Sequence, residues 1–379
     1  MGSPDVLIIG GGIIGLSIAR RLAMDGVSVE IFDRQQPGME ASWAAAGMLA
    51  PQMEVEGPGP FLDLCLWSRD LYLDFVKGLQ EDSGISIPYN AEGMVSIALT
   101  EEDETGLRER YAWQKRAGLP VEWLSAPAIR ERVPTVTSDL RGGLFFPGHH
   151  RLDHRQIIRA LLVDLQKRGV KTSWGVAAHS ILVQRSKAIG VETSQGSRCV
   201  GKVVVAAGSW SSQLQYPNEE IRPKVRPIRG QVVSVEYRGA PFPYSLFSSV
   251  GYLVPRSDGQ MLLGTTVEEV GYDKSTTVSG IQKILSGAMR LIPSISDCSI
   301  TEAWAGLRPR SDDFLPVLGA SSVENLYFAT GHFRNGILLT PATAEILGEL
   351  IRMGRSSFPI ETFQMDRWRR HALASRIAL

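Results

Sequence analysis

The first part of the chain carries the hydrophobic pattern of an α/β protein. Residues 5–33 predict a strand, a glycine turn, a helix and a second strand, with the regular elements at Val6–Ile9, Ile14–Asp25 and Val27–Phe32. This order of elements is a βαβ unit. A helix around Pro60–Gln80 follows, because its apolar residues recur at spacings of mostly three to five positions.

From Asn90 onward the pattern changes to short alternating runs separated by helical segments. Alternation with a period of two predicts strands, and a period near 3.6 predicts helices. In chain order we predict a strand at Met94–Leu99, a helix at Glu101–Ala117, a strand at Leu144–Phe146, a helix at Arg155–Gly169, two or three strands within Ser180–Val205, a β-rich stretch at Val225–Thr266 and a helix at Val278–Leu291. This mixture is typical of an α+β segment.

The last part of the chain returns to the α/β pattern of the start. It predicts a strand at Asn325–Thr330, a loop at Gly331–Gly336 and a helix at Thr340–Met353. A chain of 379 residues is long enough for two cores. We therefore predict two discontinuous domains, the first made of residues 1–86, 147–218 and 302–379, and the second of residues 87–146 and 219–301.

The composition narrows the class of ligand and the location. Forty Lys and Arg balance forty Asp and Glu, so no nucleic acid or acidic membrane surface is expected as a partner, and a small molecule suits better. Cys65, Cys199 and Cys298 are too scattered for a disulfide framework, which favours a reducing, cytoplasmic location. No run of about 18 apolar residues occurs, so we expect no membrane span.

A glycine fingerprint joins the first strand to the first helix. Gly10-Gly-Gly12-Ile-Ile-Gly15 follows the strand, and Asp33 ends the next strand 18 residues after Gly15. Gly10 permits the tight turn, Gly12 lets the backbone approach a pyrophosphate, and Gly15 lets the helix pack closely. The helix N-terminus attracts phosphate charge, and Asp33 suits ribose hydroxyls. The pattern predicts a dinucleotide site but does not distinguish NAD from FAD.

Motifs farther along the chain carry a resemblance to a known family. These are the small-residue stretch Ala41–Pro51, Ala206-Ala-Gly-Ser-Trp210, Trp304-Ala-Gly-Leu-Arg308-Pro and Gly331-His-Phe-Arg-Asn-Gly-Ile-Leu-Leu339. Together with the fingerprint and Asp33, they resemble the D-amino-acid-oxidase superfamily over essentially the whole chain. Within it, the pattern resembles most the glycine oxidases of thiamine biosynthesis.

The resemblance implies a fold and a cofactor. It implies an α/β, Rossmann-like domain that binds FAD, plus an α+β substrate domain with a large antiparallel sheet. Related sarcosine oxidases attach FAD through a cysteine after the carboxylate-binding arginine, and Arg308–Pro316 holds none, so we expect non-covalent FAD. The residues expected at the cofactor are Gly10, Gly12, Ile14, Gly15, Asp33, Arg34, Ser42, Ala45, Ala46, Gly47, Met48, Val176, Ala207, Gly208, Trp210, Gly331, His332, Arg334, Asn335, Gly336, Ile337 and Leu338.

The chemistry of amine oxidation indicates which protein residues are needed. Flavin accepts the hydride from the substrate Cα, so the protein mainly orients the substrate. Arginine suits a substrate carboxylate because its planar fork binds both oxygens. Arg308, which leaves a predicted strand at Ser299–Leu307 just before Pro309, matches the family's carboxylate-binding arginine. By the same resemblance Tyr252 would bind the carboxylate, and Arg334 would contact the substrate or the flavin edge.

Two further features of the sequence bear on the site. The loop Gly331–Leu339 precedes a helix, so its amides and the helix dipole could stabilise reduced flavin. We expect Met48 and Leu49 near the reactive face of the ring. His149, His150 and His154 cluster, but no cysteine or paired carboxylate completes a zinc site, so we expect no metal.

The sequence therefore predicts an FAD-dependent oxidase of small amino acids. Glycine would be preferred, with sarcosine and D-alanine accepted, and O2 would be reduced to hydrogen peroxide. Two alternatives stay open: a dehydrogenase of the same fold that uses another electron acceptor, and a non-catalytic FAD-binding subunit. The latter is disfavoured because Arg308 and Tyr252 are both present. The resemblance also suggests a homo-oligomer, with a tetramer as one form.

Overall fold

The computed structural model describes residues 3–368. The predicted domain segments 1–86 and 302–379 include residues 1–2 and 369–379, which lie outside the described residues. The helices of the described part are α1 Ile13–Met24, α2 Ala41–Ala44, α3 Pro60–Ser83, α4 Glu101–Arg116, α5 Ala126–Arg132, α6 His154–Lys167, α7 Val278–Leu291 and α8 Thr340–Met353.

The strands fall into two large and two small sheets. In chain order they are β1 Val6–Ile9, β2 Val29–Asp33, β3 Met48–Leu49, β4 Tyr89–Asn90, β5 Met94–Ala98, β6 Glu122–Ser125, β7 Gly142–Phe146, β8 His150–Leu152, β9 Lys171–Trp174, β10 Ala178–Gln184, β11 Lys187–Thr193, β12 Gly196–Cys199, β13 Lys202–Val205, β14 Val225–Glu236, β15 Ser245–Ser248, β16 Gly251–Pro255, β17 Gln260–Gly264, β18 Ser299–Ser311, β19 Val317–Ala320 and β20 Leu326–Thr330.

The first large sheet has six strands in the order β19-β20-β13-β1-β2-β9. Neighbouring strands are parallel except β19, which is antiparallel to β20. Strand β1 lies inside the sheet and all four of its residues are buried, which explains the unbroken apolar run. Helices α1, α3, α6 and α8 share a core with one face, and the antiparallel sheet β10-β11-β12 shares a core with the other.

The second large sheet has eight strands in the order β18-β14-β17-β16-β15-β5-β7-β6. All its pairs are antiparallel except β15 with β5. Apolar residues alternate in orientation along these strands, so each face collects its own set. One face packs on helices α5 and α7 through Ile129, Ile284 and Leu291. The other face carries Val232, Tyr252 and Trp304 and meets the small-residue stretch of the first domain at Ala46.

Most predicted elements occur where the sequence places them, with shifts of one to three residues at the ends. Helices α7 and α8 have the predicted bounds, whereas α1 begins at Ile13 rather than Ile14. The segment predicted as two or three strands forms four, β10 to β13. The sequence predicts the turn at Gly196 between β11 and β12, but Arg185 and Ser186, which form the turn between β10 and β11, include no glycine or proline that would mark it.

Strand β18 requires a correction at Arg308. The strand does not end at Leu307 but continues to Ser311, so Arg308 lies inside it. Pro309 is tolerated because β18 is the edge of the sheet, where a missing N–H costs no ladder hydrogen bond. The proposed domain boundary between residues 301 and 302 also falls inside β18. The division into two domains otherwise stays a prediction.

Within residues 3–368, no helix combines the length and the apolar content needed to cross a membrane.

A buried ion network ties three helices to one another. Arg20 on α1 donates through Nε to Asp164 on α6 at 2.9 Å and through Nη2 to Asp82 on α3 at 2.6 Å. Arg168 pairs with the same two carboxylates. The side chains of Arg20 and Asp164 are 7% and 2% exposed, so solvent screens this pair weakly. The network therefore ties α1, α3 and α6 together on one face of the six-stranded sheet.

We expect Asp164→Ala to lower the free energy of unfolding by about 3 kcal/mol, because it strips a carboxylate from two arginines. This loss lies near the lower end of the range for broken buried ion pairs, since Asp82 still pairs with both Arg20 and Arg168. Glu324→Ala is the matched control, since Glu324 pairs with Lys187 at an exposed position and should cost under about 1 kcal/mol. Urea unfolding followed by circular dichroism measures both. Equal losses in the two variants would contradict a stabilising role for the network.

Candidate active site

A cavity of about 1010 Å³ lies between the two large sheets. One wall is formed where β1, β2 and β13 end, at the carboxyl edge of the parallel sheet, which is the usual ligand position in such folds. The opposite wall is the face of the eight-stranded sheet that carries Tyr252 and Arg308. The cavity therefore has the volume to hold a nucleotide at the parallel sheet and a second group at the eight-stranded sheet.

In the glycine turn at the nucleotide end, Gly10 and Gly15 are needed for backbone packing, whereas Gly12 borders open space. Gly10 has φ of +113°, and a Cβ there would lie 2.4 Å from the carbonyl oxygen of Ala206. A Cβ on Gly15 would lie 2.0 Å from the carbonyl oxygen of Gly10, so close packing of α1 requires glycine. Gly12 is different, because the nearest atom to a Cβ there is Ser42 Oγ at 3.4 Å. The space beside Gly12 is part of the cavity and is free for a ligand.

Asp33 lines the cavity at the end of β2. Its Oδ2 accepts a hydrogen bond from Gly11 N–H at 2.8 Å, and its Oδ1 accepts one from Gln35 N–H at 2.9 Å. Burial raises the pKa of this carboxyl above its ordinary value, while the two N–H groups oppose that rise. Each oxygen keeps a further lone pair for a hydroxyl donor.

A stacked pair closes the nucleotide end of the cavity. The guanidinium of Arg34 lies 3.7 Å from the ring centroid of Trp210, and both residues line the cavity. Glu40 pairs with Arg34 at 3.0 Å and with Lys274 at 2.7 Å. Glu40, which the sequence prediction missed, thereby joins the nucleotide end to the loop that follows β17.

The loop Gly331–Leu339 lines the middle of the cavity and is held from behind by α3. Ser68 Oγ donates to the carbonyl oxygen of Leu338 at 2.7 Å, and the Tyr72 hydroxyl donates to the carbonyl oxygen of Ile337. Among the described residues, no acceptor is present for the N–H groups of Gly336 and Ile337, which line the cavity just before α8. They suit an acceptor atom on a ligand.

His332 is a buried residue of this loop. Its Nε2 lies 3.1 Å from Thr343 Oγ1, and burial lowers its pKa to about 3. His149 and His154 are also buried, and burial lowers their pKa values. No group of three or more metal-binding side chains occurs within residues 3–368.

The far end of the cavity carries Arg308 on β18. Its Nη1 donates to the carbonyl oxygen of Thr266 at 3.0 Å, and its Nη2 donates to Thr265 Oγ1 at 2.7 Å. The guanidinium lies over Gly230, where a Cβ would come within 2.1 Å of Nη2. Burial lowers the pKa of Arg308 from its ordinary value, but a guanidinium remains charged in proteins. Its position is therefore set by two threonines and by the missing side chain at residue 230.

Tyr252 lies beside Arg308 on the same face of the sheet. Its ring covers Gly264, where a Cβ would lie 2.2 Å from Cζ and 2.3 Å from the hydroxyl oxygen. Burial raises the pKa of the phenol, so it is a neutral hydrogen-bond donor at neutral pH. Arg308 and Tyr252 together present a cation and a hydroxyl to the cavity, which is a suitable pair for one carboxylate.

Arg334 lies farther toward solvent at the same end. Its Nη2 is 3.3 Å from Glu54 Oε2, and both residues line the cavity. The pairing joins the loop before α8 to the residue that follows the short turn at 51–53. The sequence prediction included Arg334 but missed Glu54, since no periodic pattern or motif marks it.

The structure brings most of the predicted site residues to one cavity. Four of the predicted residues do not line it. Gly15 is needed for close backbone packing and Gly331 for a positive φ, whereas Leu49 and Leu338 are buried in the core of the first domain. Gly230 and Gly264 were missed, although a glycine inside a strand pattern is a signal for close approach of another group. The individual roles of the predicted residues stay predictions.

Comparisons with known proteins bear on the whole chain. The family model described as FAD dependent oxidoreductase, DAO, matches residues 5–350. The glycine oxidase of Geobacillus kaustophilus is 31% identical over 369 residues, which cover 96% of this chain and 97% of that protein. The crystal structure of glycine oxidase from Geobacillus kaustophilus aligns with a TM-score of 0.91, at 31% identity, over 97% of this chain and 99% of that one. The predicted fold class is thereby confirmed.

A longer relative gives a second comparison. The bifunctional protein ThiO/ThiG of Trichormus variabilis is 34% identical over 372 residues, which cover 97% of this chain but 56% of that protein. The chain thus spans little more than half the length of this relative.

Because Gly12 has open space beside it, we expect Gly12→Val to fold but to bind no FAD. A branched side chain would occupy the space that the pyrophosphate needs, without meeting protein backbone. Gly15→Val is the contrasting variant, and it should lower the melting temperature, since its Cβ would overlap the carbonyl of Gly10. Flavin absorbance per protein and thermal unfolding distinguish them. A Gly12→Val protein with full flavin content would refute this assignment.

Proposed function

The chain belongs to the DAO family of FAD-dependent oxidoreductases, and from this premise we propose that it oxidises small amino acids, with glycine preferred and sarcosine and D-alanine accepted. The similarity to glycine oxidases over nearly the full length supports this substrate class. The observation that carries the proposal is the half-buried guanidinium of Arg308, next to the Tyr252 hydroxyl in a cavity that also fits a flavin nucleotide.

The residues present fit FAD along the whole cavity. The open space at Gly12 and the N-terminus of α1 would hold the pyrophosphate, and Asp33 would accept from ribose hydroxyls. The free N–H groups of Gly336 and Ile337 suit a carbonyl oxygen of the ring system. FAD, when bound, supplies a hydride acceptor for the carbon that bears the amine.

Arg308 and Tyr252 would bind the substrate carboxylate and so fix the position of Cα. Thr265 and Thr266 occupy one N–H of each terminal nitrogen of Arg308, which leaves the remaining donors for the carboxylate. Binding at two points restricts rotation of the substrate. The rotational entropy is then lost on binding and no longer adds to the barrier of the reaction step. The protein thereby contributes mainly orientation.

Among the described residues at this end of the cavity, no carboxylate or imidazole is free to act as a general base, since the Glu54 carboxylate pairs with Arg334. His332 has a pKa of about 3 and its Nε2 is engaged with Thr343, so we assign it to holding the loop before α8. An amine that enters in its neutral form needs no base, because loss of the Cα hydride gives the imine cation directly.

The complete proposed reaction converts glycine, water and O2 to glyoxylate, ammonia and hydrogen peroxide. Two electrons leave the amino acid as a hydride and reduce O2, and hydrolysis of the imine releases ammonia. If the imine is captured before hydrolysis, it could serve thiazole formation for thiamine, which the name of the ThiO/ThiG relative supports. The homo-oligomeric state and the cytoplasmic location stay predictions from the sequence.

Purified, FAD-loaded protein mixed with glycine should release hydrogen peroxide and glyoxylate in equal amounts. A coupled peroxidase assay and derivatisation of glyoxylate measure the two products. Flavin that is bleached by glycine without air, but that produces no peroxide in air, would instead indicate a dehydrogenase. Flavin that no small amino acid bleaches would reject the proposal.

Arg308→Ala should keep FAD but lower kcat/KM for glycine by a factor of about 10 to 100 or more, since a charge-assisted contact is worth about 1.5–3 kcal/mol and substrate orientation is lost as well. Arg308→Lys should recover part of the activity, because an ammonium cannot make the bidentate contact. Arg310→Ala is the matched control: Arg310 is on the same strand, pairs with Glu269 and does not line the cavity. If Arg308→Ala retains kcat/KM, another residue binds the substrate carboxylate, and Arg334 is the next candidate.

A further inference from the structure

The substrate end of the cavity holds an ion pair that the proposed reaction does not use. Arg334 Nη2 lies 3.3 Å from Glu54 Oε2, and their side chains are 45% and 18% exposed. Both residues act electrostatically on Arg308, since the positive charge of Arg334 lowers the pKa of Arg308 and the negative charge of Glu54 raises it. The pair therefore lies close enough to Arg308 to affect which charges this end of the cavity accepts.

Glu54 is the carboxylate of this end among the described cavity residues. The other two lining carboxylates, Asp33 and Glu40, lie at the nucleotide end, where Asp33 bonds to Gly11 and Glu40 pairs with Arg34 and Lys274. Arg308, Arg334 and Glu54 together carry one net positive charge, and Lys283 and Arg290 of α7 also line the cavity.

We propose that Glu54 is a positioning residue that restricts the substrates to monocarboxylate amines by holding Arg334 in an ion pair. This inference rests on the proposed function and specifies the substrate class of the same site. A substrate with a second carboxylate would find Arg334 already neutralised and would bring its own charge near Glu54. Both effects disfavour it, and neither acts on a substrate whose single carboxylate lies on Arg308.

Removal of the Glu54 charge should therefore release Arg334 for a second anionic group. Glu54→Gln keeps the size of the side chain and a hydrogen-bonding oxygen, but it no longer neutralises the guanidinium. A freed arginine can bind a second carboxylate through a charge-assisted, bidentate contact, for which a gain of about tenfold or more is expected. A monocarboxylate gains less affinity, because only the long-range repulsion from the Glu54 charge is removed.

Sarcosine and iminodiacetate make a suitable substrate pair, because iminodiacetate is sarcosine with a second carboxylate. We expect Glu54→Gln to raise the ratio of kcat/KM for iminodiacetate to that for sarcosine by about tenfold or more, mainly through KM. Acetate and malonate provide a second readout that needs no turnover. Titrated against the flavin absorbance of the FAD-loaded protein, malonate should gain affinity over acetate by a similar factor in the variant.

Two control variants separate this role from a general change in charge. Glu56→Gln removes the same charge two residues away, but Glu56 pairs with Arg110 and lies outside the main cavity, so both ratios should stay at the wild-type value. The double variant Glu54→Gln with Arg334→Leu should lose the gain for malonate and iminodiacetate. Melting temperature and flavin content confirm that each protein is folded and loaded.

Three outcomes would overturn the inference. The first is an equal gain for monocarboxylates and dicarboxylates in Glu54→Gln. The second is the same change in Glu56→Gln. The third is a higher KM for glycine with unchanged acetate affinity, which would mean that Glu54 binds the substrate ammonium. If no variant turns over either amine, the proposed function fails, while the acetate and malonate titrations still decide the role of Glu54.

Discussion

The arrangement of the substrate end depends on the contact between the Arg308 guanidinium and the bare backbone of Gly230. Any side chain at residue 230 would overlap the guanidinium, since a Cβ there would lie 2.1 Å from Nη2. Gly264 makes the same kind of room for the Tyr252 ring. Two strands of the eight-stranded sheet thus have a glycine at the point of contact, so that a cation and a hydroxyl can lie against the sheet and face the cavity.

The nucleotide end depends on the same constraint in another form. Gly10 and Gly15 let β1, α1 and the start of the segment after β13 approach closely, and Gly12 leaves open the space at the helix N-terminus. The two large sheets meet through the small residues of the stretch after β2, where a Cβ on Gly306 would lie 2.4 Å from Ala44 Cβ. Small residues therefore border the cavity on both of its walls.

Local patterns predict those parts of the fold that local physics determines. The βαβ unit follows from apolar periodicity, and the bounds of α7 and α8 follow from the same periodicity together with the Thr277 cap before α7 and the Gly354 cap after α8. Strand β18 was predicted too short, because a proline normally ends a strand and only the sheet order shows that β18 is an edge. The family motifs located Arg308, Tyr252 and Arg334, but contacts between distant segments were not predictable. Glu54 and Arg334 are 280 residues apart in the chain, and no periodicity relates them.

The most direct test of this account is a crystal structure of the protein with FAD and glycolate, a small carboxylate without an amine. The account predicts that the pyrophosphate lies at Gly12 and that the glycolate carboxylate lies at hydrogen-bond distance, about 2.7–3.1 Å, from the Arg308 guanidinium and the Tyr252 hydroxyl. A glycolate carboxylate bound to Arg334 alone, or a flavin ring that lies away from Arg308 and Tyr252, would contradict it.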